Sequence, residues 1–263
     1  MTVSLDDFAF MYQGNIIKGL DASEAHYLLP IDHSFSSQQD TALLLLHGFA
    51  SSPAVYRALL PQITGYDRIV CPVLPGHSCS IQEFGQSTAQ AWRDAARNAC
   101  AQLIKNYAKV SVLGLSLGGS LALELAQIFP LHHLYLLAPA LKLHYPIWPA
   151  LITAKILHKI GHKPFINRGG DLFSSHYQEL IYRQLPLPVI IEILTFIQAQ
   201  TYTQPNCPTD LFVGRYDRVI DVQTVAKHYA NQPNVAIHWL EHSAHVLPLD
   251  GDIEVLSQAI NAH

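Results

Sequence analysis

Gly114-Leu115-Ser116-Leu117-Gly118 sets a serine between two glycines. A serine hydroxyl is a weak nucleophile until a neighbouring base takes its proton. The G-x-S-x-G spacing serves that chemistry. It allows a tight, strained turn that lifts the hydroxyl clear, and it keeps side chains off positions where backbone must pack closely. Gly119 and Ser120 extend the patch of small residues. The implied chemistry is acyl transfer through Ser116. A chance match in a Gly/Ser-rich loop is the bland alternative, and context weighs against it. An apolar run from Lys109 to Leu113 precedes the motif, and Leu117, Leu121, Leu125 and Ile128 follow at helical spacing.

Acyl transfer also needs two N–H donors for the developing oxyanion. Leu117, directly after the serine, offers one. The second is expected from His47-Gly48-Phe49, which follows the aliphatic run at Leu43 to Leu46. The backbone N–H of Phe49 is the expected donor, and its ring is expected to line the acyl pocket. His47 is read as a brace for this loop and, with Phe49 and Trp148, as a substrate contact.

Fifteen histidines compete for the role of base. In hydrolases built on such an elbow the chain order is serine, acid, histidine. His238 falls within a strand pattern, Val235 to Leu240, while His228 reads as surface helix. His242 and His245 follow that strand in Glu241-His242-Ser243-Ala244-His245, and His245, further along the loop after two small residues, is the expected base. The acid is expected after the run from Asp210 to Val213. Asp217 lies three residues past Gly214, whereas its rival Asp221 sits where a helix N-cap belongs, before Val222 to Tyr229. The carboxylate would hold the imidazole in one tautomer and stabilise its protonated form.

Short apolar runs alternate with helix-like segments along the chain. Strands are expected from Ala42 to Leu46, Arg68 to Val73, Lys109 to Leu113, Leu134 to Leu137, Asp210 to Val213 and Val235 to Leu240. Helices are expected from Trp92 to Tyr107, after Ser116, and around Ile253, Leu256 and Ile260. Continuous aliphatic strands mean a sheet covered on both faces, so the pattern predicts an α/β fold with a mostly parallel, doubly wound sheet. Between Leu141 and Pro205 the strand signal disappears. Ile147 and Leu151, with Trp148, Ile152, Ile156 and Ile160, recur at helical spacing up to Gly161, and a second helix is expected from Val189 to Ala199. Residues 141–205 are therefore expected to be a helical cap inserted in a core made of 1–140 and 206–263. Extra core helices are the alternative; the cap is preferred because sites in such sheets lie at the carboxyl ends of strands, and this insertion leaves from one.

Together these segments resemble bacterial carboxylesterases and monoacylglycerol lipases of the α/β-hydrolase superfamily. The resemblance rests on Leu43-Leu44-Leu45-Leu46-His47-Gly48-Phe49, Pro75-Gly76-His77, Gly114-Leu115-Ser116-Leu117-Gly118-Gly119, Gly214-Arg215-Tyr216-Asp217 and Ser243-Ala244-His245. It implies hydrolysis of short to medium acyl esters through an acyl-enzyme, with no cofactor. Ser78 stands where the superfamily often has a further glycine, and residues 1–40 and 141–205 lie outside the match. Thioesterase, acyltransferase or C–C hydrolase chemistry on the same triad, and a non-catalytic small-ligand binder on the same fold, remain alternatives.

Composition narrows the partners. The chain has 263 residues, 49% of them hydrophobic and 14% charged, with a net charge of −4. No basic run suits a phosphate backbone, so nucleic acid is not an expected partner. Cys71, Cys79, Cys100 and Cys207 are scattered, with no C-x-x-C pair, so neither a disulfide scaffold nor a metal site is expected. No apolar run reaches the roughly 18 residues of a membrane span, and the first residues lack the early basic residues of a signal peptide. A cytoplasmic enzyme acting on a small-molecule ester is expected, without stable membrane insertion but with transient lipid-surface contact open to it.

Overall fold

The computed structural model describes residues 4–263. Its centre is a seven-stranded sheet. In spatial order the strands are Val235–Leu240, Thr209–Gly214, His133–Leu137, Lys109–Leu115, Thr41–Leu46, Arg68–Cys71 and Ile31–Ser34. All neighbouring pairs run parallel except the last, where Ile31–Ser34 pairs antiparallel with Arg68–Cys71.

Side-chain alternation along these strands builds two cores. Ala42, Leu44 and Leu46 face one layer with Val110, Val112, Leu134 and Leu136, where the helices Ala89–Asn106 and Leu117–Ala126 pack. Leu43 and Leu45 face the other layer with Leu113, Tyr135 and Leu137, against the C-terminal helix Ile253–Asn261. Both faces are covered, which is why the central strand Thr41–Leu46 holds the uninterrupted aliphatic run Ala42 to Leu46. All six strands expected from sequence occur, with ends shifted by a residue or two.

Three groups of strands carried too weak a signal to be expected. Ile31–Ser34 is a mostly exposed edge strand with polar residues and no buried alternation. Phe8–Tyr12 and Asn15–Gly19 form a hairpin whose turn residues, Gln13 and Gly14, both have positive φ (46° and 79°). Such a turn usually advertises itself with Asn or Asp at its first position; here that position is Gln. The third group corrects the expectation for residues 141–205. The helices Ile147–Lys159 and Leu187–Gln198 are present, but the insertion also holds short strands at Phe165–Ile166, Glu179–Tyr182 and Gln184–Leu185. Glu179–Tyr182 pairs antiparallel with Phe8–Tyr12, so the insertion is stitched to the N-terminal hairpin. Strands of two to four residues are too short for periodicity to reveal. Among the described residues no helix is long and apolar enough to cross a membrane.

The elbow depends on backbone contact. A methyl group at Gly118 would overlap the carbonyl oxygen of Leu46, and one at Gly114 would overlap that of Gly118. Gly161 differs: its φ is +71° but nothing lies within 4 Å of an added Cβ. Gly118→Ala is therefore expected to cost about 3 kcal/mol by overpacking, lowering Tm by about 6–12 °C. Gly161→Ala carries only left-handed strain, about 1 kcal/mol after the entropic gain in the unfolded chain. Melting curves of the two variants decide this, and equal melting points would refute the close-contact account.

Candidate active site

Three loops leave the carboxyl ends of Lys109–Leu115, Thr209–Gly214 and Val235–Leu240, parallel strands of the central sheet. Ser116 follows Lys109–Leu115 and has φ 53° and ψ −113°, a sparsely populated conformation of the kind held at functional turns. Its N–H donates to the Leu137 carbonyl at 2.9 Å, and its own carbonyl accepts from Ala140 at 3.0 Å. The strained turn is thus held by the adjacent strand.

Asp217 follows Thr209–Gly214. Its Oδ1 accepts the N–H groups of Val219 and Ile220, each at 2.8 Å, and its Oδ2 lies 2.8 Å from Nδ1 of His245. The Asp217 side chain is fully buried. With Oδ1 tied to two backbone N–H groups, Oδ2 is aimed at the imidazole, which is held with Nδ1 toward the acid. Asp221 instead caps the helix Val222–Tyr229, accepting from the Thr224 N–H at 3.1 Å. His242 is exposed and pairs with Asp252, and His238 pairs with Asp210. Of the late histidines, His245 alone joins Asp217. Among the described residues no hydrogen bond links the Ser116 hydroxyl to this imidazole; in ligand-free hydrolases that contact is often long and tightens when substrate binds.

The expected oxyanion donors flank the serine. An added Cβ at Gly48 would lie 3.6 Å from the Ser116 Cβ, so the His47-Gly48-Phe49 loop passes beside the nucleophile. Leu117 opens the helix Leu117–Ala126, where the first N–H groups lack intrahelical partners. Among the described residues neither the Phe49 nor the Leu117 N–H meets a protein acceptor.

Two expected substrate contacts are placed elsewhere. His47 is wholly buried: Nδ1–H donates to the Gly48 carbonyl at 2.9 Å, and Nε2 accepts from the Leu74 N–H at 3.0 Å. With both nitrogens engaged it braces the loop, and it is not among the residues that line the cavity at Ser116. Burial drives its pKa down to about 4, against the opposing pull of the Gly48 carbonyl. His77 does the same for the neighbouring turn, accepting from the Ala50 N–H at 3.2 Å. Trp148 is 65% exposed and is not among the residues that line the cavity at Ser116. Phe49 does line the site. A cavity of about 300 Å³ opens at Ser116, walled by Phe49, Leu143, Tyr145, Phe165, Ile193 and Ile197 among others. Much of that wall comes from the insertion.

Sequence reasoning missed the acids around His245. The Asp171 carbonyl accepts the His245 and Val246 N–H groups at 3.1 Å, and its carboxylate pairs with Arg218 at 2.6 Å. Glu179 is buried, with Oε2 accepting from the Gly170 N–H at 2.8 Å. Asp250 accepts from Phe173, Ser174 and Ala244, tying the histidine loop to the insertion. Burial raises the pKa of both Glu179 and Asp250. Their only sequence signal was the presence of acids in apolar surroundings, which does not say where they point.

A second histidine cluster lies at the opposite end of the sheet. His133, Asp210 and His263 bring ligand atoms within 4.8 Å of one another. The His133 and His263 rings stack at 4.1 Å and 21°, so their lone pairs run side by side and do not converge. Asp210 is already bonded to His133 at 2.7 Å and His238 at 2.5 Å. The geometry is that of a hydrogen-bonded cluster.

The model of the alpha/beta hydrolase family matches residues 43–258. A thermostable monoacylglycerol lipase from Bacillus sp. (strain H-257) is 26% identical over 230 residues, covering 83% of this chain and 88% of the relative. A carboxylesterase from Bacillus subtilis (strain 168) is 22% identical over 229 residues, covering 84% and 91%. The solved structure of a metagenome-derived lipolytic enzyme, from work on LipS and LipT, superposes with a TM-score of 0.79 at 26% identity, covering 90% of this chain and 98% of that one. A soluble variant of monoglyceride lipase from Saccharomyces cerevisiae superposes with a TM-score of 0.68 at 15% identity, covering 89% and 91%, a likeness of fold.

Burial alone would lower the pKa of His245, but Asp217, then Asp171 and Glu179, outweigh it and hold the imidazole above its ordinary value. An NMR titration is expected to place the His245 midpoint above the ~6.5 of a free histidine, and Asp217→Asn is expected to move it down. A midpoint that Asp217→Asn leaves in place would disprove the pairing.

Proposed function

Because the chain belongs to the alpha/beta hydrolase family, we propose that it is a serine hydrolase cleaving carboxylic esters of short to medium acyl chains, including monoacylglycerol-like lipids. One observation carries this reading: the strained Ser116 turn opens on an apolar cavity whose wall includes Val219 and Ile220, the residues whose N–H groups hold the Asp217 carboxylate that pairs with His245.

The His245 Nε2 takes the proton of the Ser116 hydroxyl as its oxygen attacks the acyl carbonyl carbon. The N–H groups of Phe49 and Leu117 receive the oxyanion, in a site where fixed donors are worth more than water. Collapse breaks the ester C–O bond, and the imidazolium returns its proton to the departing alkoxide. A water molecule then repeats the sequence on the acyl-enzyme, releasing the acid and restoring Ser116. Asp217 keeps Nδ1 protonated throughout, so Nε2 is the free base. The step needs no cofactor. The four cysteines are free and buried, which fits a reducing compartment such as the cytoplasm.

The cavity sets the acyl preference. Its roughly 300 Å³ is at the small end for ligand pockets, which suits a short to medium acyl chain. Its lining is almost entirely aliphatic and aromatic, which suits an uncharged chain.

A fluorophosphonate is expected to add one adduct to the protein by intact mass, and none to Ser116→Ala; an unlabelled wild type would favour a small-ligand binder. On nitrophenyl esters kcat/KM is expected to peak at short to medium chain length and to fall for long acyl chains. A preference for charged acyl groups would contradict the apolar pocket. Asp217→Asn is expected to lower kcat by about 10³–10⁴-fold while Asp221→Ala leaves it within about twofold, since a lost N-cap costs only ~1 kcal/mol of stability.

A further inference from the structure

The helix Ile147–Lys159 carries apolar residues both toward the core and toward solvent. Leu151 and Ala154 are buried toward the core, as a surface helix requires. Trp148, Ile152, Ile156 and Ile160, spaced four apart, form a second row that faces solvent, with exposures of 65%, 36%, 57% and 70%. The segments flanking the helix add Ile166, 73% exposed, and Tyr145 and Phe165, which are exposed and also wall the cavity at Ser116. Isolated exposed apolar residues need no explanation; a contiguous row on one element does.

Charge identifies what covers it. Residues 141–205 carry six basic and three acidic residues, a net charge of +3 in a chain whose total is −4. The three acids are engaged inward: Asp171 with Arg218, Glu179 buried against Gly170, and Glu192 accepting from the Ala89 N–H at 2.8 Å. Lys155, Lys159 and Lys163 are exposed and flank the apolar row. A tryptophan and isoleucines bordered by lysines are what a helix lying in a lipid headgroup layer presents, and lysines near such a surface gain most when the lipid is anionic.

We infer that the outer face of Ile147–Lys159 docks on an anionic phospholipid surface, bringing the mouth of the cavity at Tyr145 and Phe165 against the lipid. The docking is independent of catalysis, because every residue of the row lies outside the Ser116, Asp217 and His245 cluster. It is peripheral, since one helix of 13 residues is too short to span.

Vesicle co-sedimentation tests this with the whole chain. The protein is expected to bind vesicles of phosphatidylcholine containing about one-third phosphatidylglycerol, and to bind less as salt rises. Pure phosphatidylcholine should bind at least about fivefold less. The double substitution Ile156→Asp with Ile160→Asp should lower binding by at least about tenfold, while Lys155→Glu with Lys159→Glu should abolish the preference for the anionic lipid. Both variants should turn over a dissolved short-chain ester at the wild-type rate, which separates docking from the reading of Ser116. Two outcomes overturn the inference: no binding to either vesicle, or a wild type that sediments as a dimer in solution and becomes monomeric with Ile156→Asp, which would make a second copy of the chain the occupant.

Discussion

The contact between the backbone of Gly118 and the carbonyl of Leu46 is the constraint on which the site rests. It lets the helix after Ser116 lie directly on the strand that launches the His47-Gly48-Phe49 loop. That approach brings the Phe49 N–H and the Ser116 turn side by side, and a single added methyl would push them apart. The strain at Ser116 is tolerated because Leu137 and Ala140 fasten its N–H and carbonyl on either side. Two neutral imidazoles, His47 and His77, then serve as internal struts, each accepting a backbone N–H that a loop in the interior would otherwise leave unpaired. The site's precision is thus a matter of backbone, with few functional side chains exposed.

Electrostatics around His245 follow from where the insertion lands. Four carboxyl groups, those of Asp217, Asp171, Glu179 and Asp250, surround or brace the loop that carries it. Among the described residues, Asp217 alone is hydrogen-bonded to the ring. Asp171 and Asp250 hold the loop against the insertion, so the segment that walls the cavity also seats the histidine. Cavity shape and imidazole position are therefore coupled through the same polar contacts.

The two surfaces of the insertion differ in what they contact. Its inner surface, from Leu185 through Ile197, must exclude water from the cavity beside Ser116. Its outer surface retains an apolar row that water alone does not favour, while all three of its acids turn inward. Pairing of Glu179–Tyr182 with Phe8–Tyr12 anchors this layer to the rest of the molecule, which keeps the cavity wall in place without requiring a large core of its own.

What the amino-acid order determined by itself was local or repetitive. Runs such as Leu43–Leu46 can only be strands covered on both faces, so the parallel sheet was readable. Glycines at 114 and 118 around Ser116, between a strand and a helix, named the elbow, and chain order with strand ends pointed to Asp217 and His245. Tertiary structure decided everything that depends on direction. The row from Trp148 to Ile160 has the same spacing whether it faces a core or solvent, and only packing put it outside. His47 and the acids Asp171, Glu179 and Asp250 bear no mark in the sequence of which partner they meet, because their partners lie on segments brought near only by folding. Periodicity reports that a face exists; the position of the neighbouring elements settles what that face touches.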